Sequence, residues 1–524
     1  MERGEFDVII IGGGITGAGT ARDCALRGLR VLLLERADIT NGATGRNHGL
    51  LHSGARYAVT DTESARECIV ENRILRRIAS NCVEQTEGLF ITLPEDDLAY
   101  QSKFIDSCRA ARIDAKAIDP RQARILEPSV NPALIGAVKV PDASIDPFRL
   151  ATANVLDATI HGAKVMTYAE VTGFVSRNGR IEGVKFRNNK TGECGEAYAP
   201  VTVNAAGIWG AAIAGMAGAQ IRMLPAKGSL LVFGHRVNRM VINRCRKPAN
   251  ADILVPGDVV SVIGTTSDKV PFEECDDIAV TPAEVELLLN EGCKLAPCLS
   301  ATRILRAYAG VRPLVCSDDD PTGRSTSRGI VLLDHETRDS IPGFISITGG
   351  KLTSYRLMGE MAADLVCRKL GVDRRCETAL RPLPGSENHE TPQKEAALAL
   401  KAAEGRHGSL INRMDFADKS DVLCECEHVT RAEIAYAVKN LDVHNLVDLR
   451  RRTRVGMGTC QGSFCMKRVA AALAEELGTP EKAGEFVRQY AAERWKGMRP
   501  VCWGESLREA EYMRKQMGGP GDEI

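Results

Sequence analysis

The feature that most constrains this chain is a run of glycines close to its start. Gly12-Gly13-Gly14-Ile15-Thr16-Gly17 follows the apolar run 7–11 and precedes a helix-length segment. A second strand pattern, residues 30–35, closes on Glu35, 21 residues after Gly14. Strand, glycine turn, helix and strand make a βαβ unit. Gly12 permits the tight turn, Gly14 lets the backbone approach a pyrophosphate, and Gly17 allows close helix–strand packing. The helix N-terminus offers N–H groups to the phosphates, and a carboxylate at Glu35 accepts from ribose hydroxyls while repelling a 2′-phosphate. The spacing alone does not separate NAD from FAD.

Three later glycine-rich returns favour the longer cofactor. They are residues 42–54 (GATGRNHGLLHSG), 203–210 (VNAAGIWG) and 348–351 (TGGK), the last opening a helical pattern. A helix N-terminus beside a flavin stabilises the charge that develops on reduction. FAD is therefore expected against Gly12, Gly14, Gly17, Glu35, Thr44, Gly45, Gly207, Gly350 and Thr353, with Val171 after Glu170 as a further candidate, equally readable as core. Strand-like runs alternate with helical patterns near 148–160, 282–295 and 352–370, which argues for an α/β chain with an added β-rich portion.

The charge balance excludes some partners. Lys plus Arg and Asp plus Glu each number 68 among 524 residues, so no electrostatic footprint for nucleic acid is expected. No apolar run approaches the ~18 residues of a membrane helix, and the first 30 residues show no signal-peptide pattern. The expectation is a cytoplasmic chain, attached to a membrane only through partners. Seventeen cysteines without a secretory pattern are not read as a disulfide framework.

Four of those cysteines form two close pairs, Cys424-x-Cys426 and Cys460-x4-Cys465, separated by 33 residues that read as helix, turn and helix. Four thiolates on converging loops are the ligand set of a [2Fe–2S] cluster and also of structural zinc. The pattern leaves cluster, zinc and a metal-free unit open. Arg450, Arg451, Arg452 and Arg454 precede the second pair and read first as a solvated basic face, second as cations that raise a cluster's potential or dock a partner. The Pro- and Gly-marked stretch 377–420 reads as a linker, 421–475 as the cysteine unit, and 476–524 as a helical segment and tail.

The motifs ATGRNHGLLHSGARY, KGSLLV, IGTTS, GVRPL and TGGKLTSYR together resemble the FAD-dependent glycerol-3-phosphate dehydrogenase family. With the C-terminal cysteine unit, the chain is similar to the large catalytic subunit of its anaerobic, three-subunit branch. The resemblance spans nearly the whole chain. It implies a Rossmann-like, discontinuous FAD-binding domain of the D-amino-acid oxidase type over residues 1–376. A β-rich substrate domain would be inserted mainly at about 86–145 and 220–325. The small C-terminal unit would be of the bacterioferritin-associated ferredoxin type, although that type carries C-x2-C where this chain has C-x4-C.

The implied reaction oxidises sn-glycerol 3-phosphate to dihydroxyacetone phosphate. Electrons would pass to quinone by way of two partners, a second soluble subunit followed by an iron–sulfur membrane anchor, placing the chain at the inner face of the cell membrane. Carried over residue by residue, Arg312 and Arg56 would grip the phosphate, with Tyr57 beside Arg56 and Arg328 as a third cation. Arginine suits that role because its guanidinium binds a phosphate bidentately. Lys351, His52 and His48 are the candidates for polarising the substrate or taking its hydroxyl proton. Some relatives place a histidine after Lys-Gly-Ser, where this chain has Leu230, which removes one candidate base. Two other readings stay open: oxidation of another 2-hydroxy acid or an amino acid, and a non-catalytic flavin and iron–sulfur relay.

Overall fold

The strand Val8–Ile11 lies inside a six-stranded sheet. It runs parallel to Val31–Leu34 on one side and Val201–Asn204 on the other. Lys164–Met166 and Phe344–Gly349 extend the parallel order outward, and antiparallel Ile330–Asp334 ends one edge. The computed structural model describes residues 4–316, 329–387 and 421–516.

These central strands are continuously apolar because both faces of the sheet are covered. Val8 and Ile10 join one buried cluster, and Ile9 and Ile11 join another on the opposite side. The helices Ile15–Leu26 and Tyr355–Leu370 cross where Gly19 meets Gly359. A Cβ on Gly359 would stand 2.8 Å from the Gly19 carbonyl carbon, so only glycine allows this approach. The crossing brings two helix N-termini to the same end of the sheet. Such crevices at the carboxyl ends of parallel strands are where open α/β sheets bind ligands.

The three-stranded meander Ala169–Arg177, Arg180–Asn188 and Cys194–Tyr198 lies beside this sheet. A nine-stranded, largely antiparallel sheet draws its strands from residues 88–140 and 223–315. Its longest pair, Met223–Phe233 with Ile304–Val315, carries the K-G-S and G-V-R-P-L motifs on facing strands, with Ala226 opposite Arg312. Leu230 is fully buried in this pair, opposite Gly264 of the neighbouring strand, and faces no ligand space.

The cysteine unit shares its core with the helical segment that follows it. Its helices Arg431–Asn440, Leu446–Thr453 and Met466–Glu476 share one apolar core with Ala483–Met498. Phe486, Val487 and Tyr490 are buried there, so the segment after 475 packs onto the unit. The expected linker begins later. Leu383 is buried, its N–H donates to the Ile78 carbonyl, and Arg22 donates to the carbonyls of Thr378 and Arg381. Residues 377–387 are thus packed onto the first domain. The rest of that stretch, 388–420, and the tail 517–524 lie outside the described residues.

The arginine run is a correction as well. It is no solvated face: Arg450, Arg452 and Arg454 are buried. Arg451 and Arg452 both pair with Asp38, itself 1% exposed, three residues beyond Glu35. Arg454 bridges Asp146 at 2.6 Å, Glu427 at 2.9 Å and Asp258 at 3.0 Å. Tyr168 donates to Asp448, and Thr167 donates to Asp442. The charges therefore join the cysteine unit to the first domain. No helix among the described residues is long and apolar enough to cross a membrane.

Candidate active site

A cavity of about 650 Å³ opens where the glycine turn, the 42–57 loop and the substrate sheet meet. That volume lies within the roughly 300–1,000 Å³ of small-molecule and cofactor sites. Gly12 and Gly14, Glu35, Thr44, Val171, Gly207 and Gly350 line one part of it. His48, His52, Arg56, Tyr57, Arg312 and Lys351 line the other.

The glycine turn is shaped by contact. Gly12 has φ +113°, and a Cβ there would reach the Ala205 carbonyl at 2.7 Å. A Cβ on Gly17 would sit 1.9 Å from the Gly12 carbonyl, so Gly17 serves packing and does not line the cavity. The Glu35 carboxylate accepts from the N–H of Gly13 at 2.6 Å and of Ala37 at 2.9 Å. Burial pushes its carboxyl up, and those two N–H groups offset this only in part. Thr44 Oγ1 accepts from the Ile15 N–H at 3.0 Å, tying the 42–54 loop to the first helix.

Besides Gly17, two expected cofactor contacts do not line this cavity. A Cβ on Gly45 would lie 2.4 Å from the Thr40 carbonyl and 2.8 Å from the Phe148 ring, so its smallness serves the turn. Thr353 is buried and accepts the His52 N–H at 3.2 Å, which fixes the backbone of His52. Gly207, at φ +59°, fronts the cavity with open space where a Cβ would stand. The Trp209 indole N–H on the same wall is buried and has no partner among the described residues. A space of this volume, lined by the glycine turn and Glu35 and with an unmatched donor on its wall, fits FAD.

Arg312 projects from the long substrate strand past Gly228, where a Cβ would stand 2.5 Å from the guanidinium. It donates to the Thr265 hydroxyl, the Thr266 carbonyl at 3.0 Å and the Lys227 carbonyl at 3.3 Å. Arg56 donates to the Ala249 carbonyl at 3.1 Å and lies 3.6 Å from Asp252. The Lys351 ammonium stands 4.9 Å from the Tyr57 ring centroid, and the His52 ring is 5.3 Å from Tyr57. Arg328 lies outside the described residues.

His48 is less suited to act as a base than its position suggests. Burial, then Arg312 and Arg56, push its pKa down to about 3. Its Nδ1 accepts the Leu50 N–H at 3.2 Å, so the neutral ring carries its proton on Nε2. Arg56 and Arg312 both line the cavity beside it.

Several supports carry no motif of their own. Asp142 accepts the Ser53 N–H at 2.7 Å, and Tyr308 donates to the Asn47 carbonyl at 2.7 Å. Thr265 and Thr266 lie in the IGTTS motif, which was a sign that this segment faces the site. Asp142 and Tyr308 gave none.

In the cysteine unit the Sγ atoms of Cys424 and Cys426, and of Cys426 and Cys460, lie 3.8 Å apart. Those spacings gather three of the four thiols at one place, as a shared centre requires. Cys424 and Cys465 are buried in the unit's core. Hydrogen bonds from the neighbouring thiols lower the pKa of Cys424 and Cys460. The N–H groups of Gly456 and Glu427 act further on Cys424, and those of Phe464 and Gly462 on Cys460. Backbone donors converging on sulfur fit a cluster held by thiolates.

Residues 7–356 match the FAD dependent oxidoreductase family, and residues 422–475 match the BFD-like [2Fe-2S] binding domain. The chain is 60% identical to the A subunit of the anaerobic glycerol-3-phosphate dehydrogenase of Escherichia coli K12, over 97% of this chain and 95% of that one. It is 59% identical to the subunit of the same name from Haemophilus influenzae, over 97% and 91%. The glycerol-3-phosphate dehydrogenase of Bacillus halodurans, solved with FAD, superposes with a TM-score of 0.70. It is 22% identical, over 96% of this chain and 97% of that one, a likeness of fold.

Proposed function

The chain belongs to the FAD-dependent oxidoreductase family and, within it, to the A subunits of the anaerobic glycerol-3-phosphate dehydrogenases, and on that premise we propose how its residues oxidise sn-glycerol 3-phosphate to dihydroxyacetone phosphate. When bound, FAD supplies a hydride acceptor, and a [2Fe–2S] cluster supplies a one-electron carrier. Gly12, Gly14, Glu35, Thr44, Val171, Gly207 and Gly350 hold the flavin nucleotide. Cys424, Cys426, Cys460 and Cys465 hold the cluster.

Arg56 and Arg312 grip the substrate phosphate. The observation that carries this role is their convergence: both lower the same His48 imidazole, and both face the cavity that reaches Gly14. Lys351, beside Tyr57, orients the C2 hydroxyl and steadies the charge that develops as its proton leaves. His52 accepts that proton. Both imidazoles line the cavity, but the His52 backbone is fixed by Thr353, whereas His48 presents an N–H.

Electrons leave through the cysteine unit to a second soluble subunit, then to an iron–sulfur membrane anchor, with quinone as the final acceptor. This rests on the relatives being named as subunits of a larger enzyme and on the cysteine unit's place at the edge of the first domain. Attachment to the membrane would then be peripheral.

An anaerobic visible spectrum tests the reading. Stoichiometric sn-glycerol 3-phosphate should bleach the flavin band. Bleaching by a 2-hydroxy acid or an amino acid, but not by sn-glycerol 3-phosphate, would replace this substrate. His52→Gln should lower kcat by about 10²–10⁴ at normal FAD content. A smaller loss would move the proton to Lys351.

A further inference from the structure

A second, smaller cavity of about 300 Å³ lies behind the 43–51 loop, between the first domain, the substrate sheet and the cysteine unit. Asn47 and His48 line both cavities, and Met457 and Gln461 close the far side of the small one, next to Cys460. Its ion pairs leave two arginines out. Arg454 is matched by Asp146, Asp258 and Glu427, Arg149 lies 3.5 Å from Asp258, and Glu84 pairs with Arg236. Arg306 and Arg450 remain, and neither forms an ion pair among the described residues.

Arg450 is the sharper case. It is 7% exposed, and its Nε has no hydrogen-bond partner among the described residues. Burial and then Arg306 press its pKa down to about 9, and Tyr490 and the exposed Glu493 offset this only in part. Even so the guanidinium stays charged at neutral pH, so the charge is not shed. A buried charge needs a counterion.

We propose that this cavity binds a small phosphate-class oxyanion between Arg306 and Arg450, separate from the Arg56 and Arg312 site. Two neighbouring guanidinium groups outside any ion pair can fork onto the oxygens of one phosphate, and a phosphate monoester carries about −1.5 to −2 charges near pH 7. The volume suits a small molecule. The bound anion would rest between the flavin-side loop and the turn that carries Cys460.

Equilibrium dialysis of the FAD- and cluster-loaded protein with radiolabelled inorganic phosphate, at constant ionic strength, tests the site. The Arg312→Ala protein removes the proposed substrate grip and should still bind one phosphate per chain. Adding Arg450→Met should abolish that binding. Where Arg450→Met fails to load its cofactors, Arg306→Gln, which alters a partly exposed wall residue, should weaken binding at least tenfold. No bound phosphate in Arg312→Ala, or binding unaffected by both wall substitutions, would overturn the site. If Arg312 is not the substrate grip, Arg312→Ala binds as the unaltered chain does, yet the loss with Arg450→Met remains readable. Displacement of the label by sn-glycerol 3-phosphate would identify a phosphate monoester as occupant, and its failure to displace would identify inorganic phosphate.

Discussion

The flavin-side cavity is assembled from residues scattered over most of the chain, Gly14, Arg56, Val171, Gly207, Arg312 and Lys351 among them. The cysteine unit brings its four thiols from two turns of one short segment with its own apolar core. In the first, each side chain is placed by the global sheet. In the second, placement is local, and the contact with the rest of the molecule is made by charge. A site of the first kind fails with the fold, whereas one of the second kind can lose its chemistry while its neighbour keeps working.

The largest effect should come from Cys460→Ser. One thiolate is removed from a four-thiol set, so the cluster should be absent by iron and sulfide assay and by electron paramagnetic resonance after reduction. Flavin bleaching by substrate should stay within a few-fold of the unaltered chain, because the proposed substrate and flavin residues all lie outside the cysteine unit. Electron transfer to a downstream acceptor should collapse. Equal loss of flavin bleaching would show that the two regions are not separable.

Asp38→Asn strikes the contact between them. Asp38 is buried between Arg451 and Arg452, and removing its charge leaves two buried cations without their carboxylate. Breaking one partner of a buried pair costs about 3–5 kcal/mol. The cysteine unit should then undock before the first domain unfolds, seen as early protease cleavage at retained FAD. The pH dependence follows the same contact. Burial raises the Asp38 carboxyl, but Arg452 and Arg451 more than offset this and hold it below the usual 3.8. Its contribution is therefore complete above that value and is lost as pH falls through the lower folded one. Coincident unfolding of both regions in Asp38→Asn would refute a dock held by this pair.

The same contrast explains what the sequence could disclose. The βαβ unit was legible because its glycines and Glu35 each answer a local backbone demand, and the four cysteines because their spacing is itself the geometry. The arginine run reads as solvated in the sequence and is buried in the fold. Charge spacing along a helix says nothing of Asp38, some four hundred positions earlier, and the fold alone brings them together. Gly45 and Thr353 sit in the right motifs but serve a turn and a backbone anchor, since motif membership does not report which way a residue faces. The ring state of His48 was hidden for a related reason: it is set by the Leu50 N–H and by two arginines from other segments.

The smallest expected effect sharpens the flavin-side half of the comparison. Arg312 reaches the cavity over Gly228 and is held by Thr265, Thr266 and Lys227, so its guanidinium is already oriented before substrate arrives. Arg312→Ala removes one charge-assisted pair to a bound anion, about 1.5–3 kcal/mol, or roughly ten- to a hundredfold in kcat/KM. Most of the loss should appear in KM, because the phosphate is gripped alike before and during hydride transfer, and interactions equal in both states do not change kcat. FAD content, cluster content and cluster potential should not move, since none of these depends on a phosphate held at the substrate sheet. A loss confined to kcat would instead place Arg312 against the reacting carbon, with the phosphate held mainly by Arg56. Unchanged kinetics would make Arg312 a strand-bracing residue, and the grip would have to be sought elsewhere on the cavity wall.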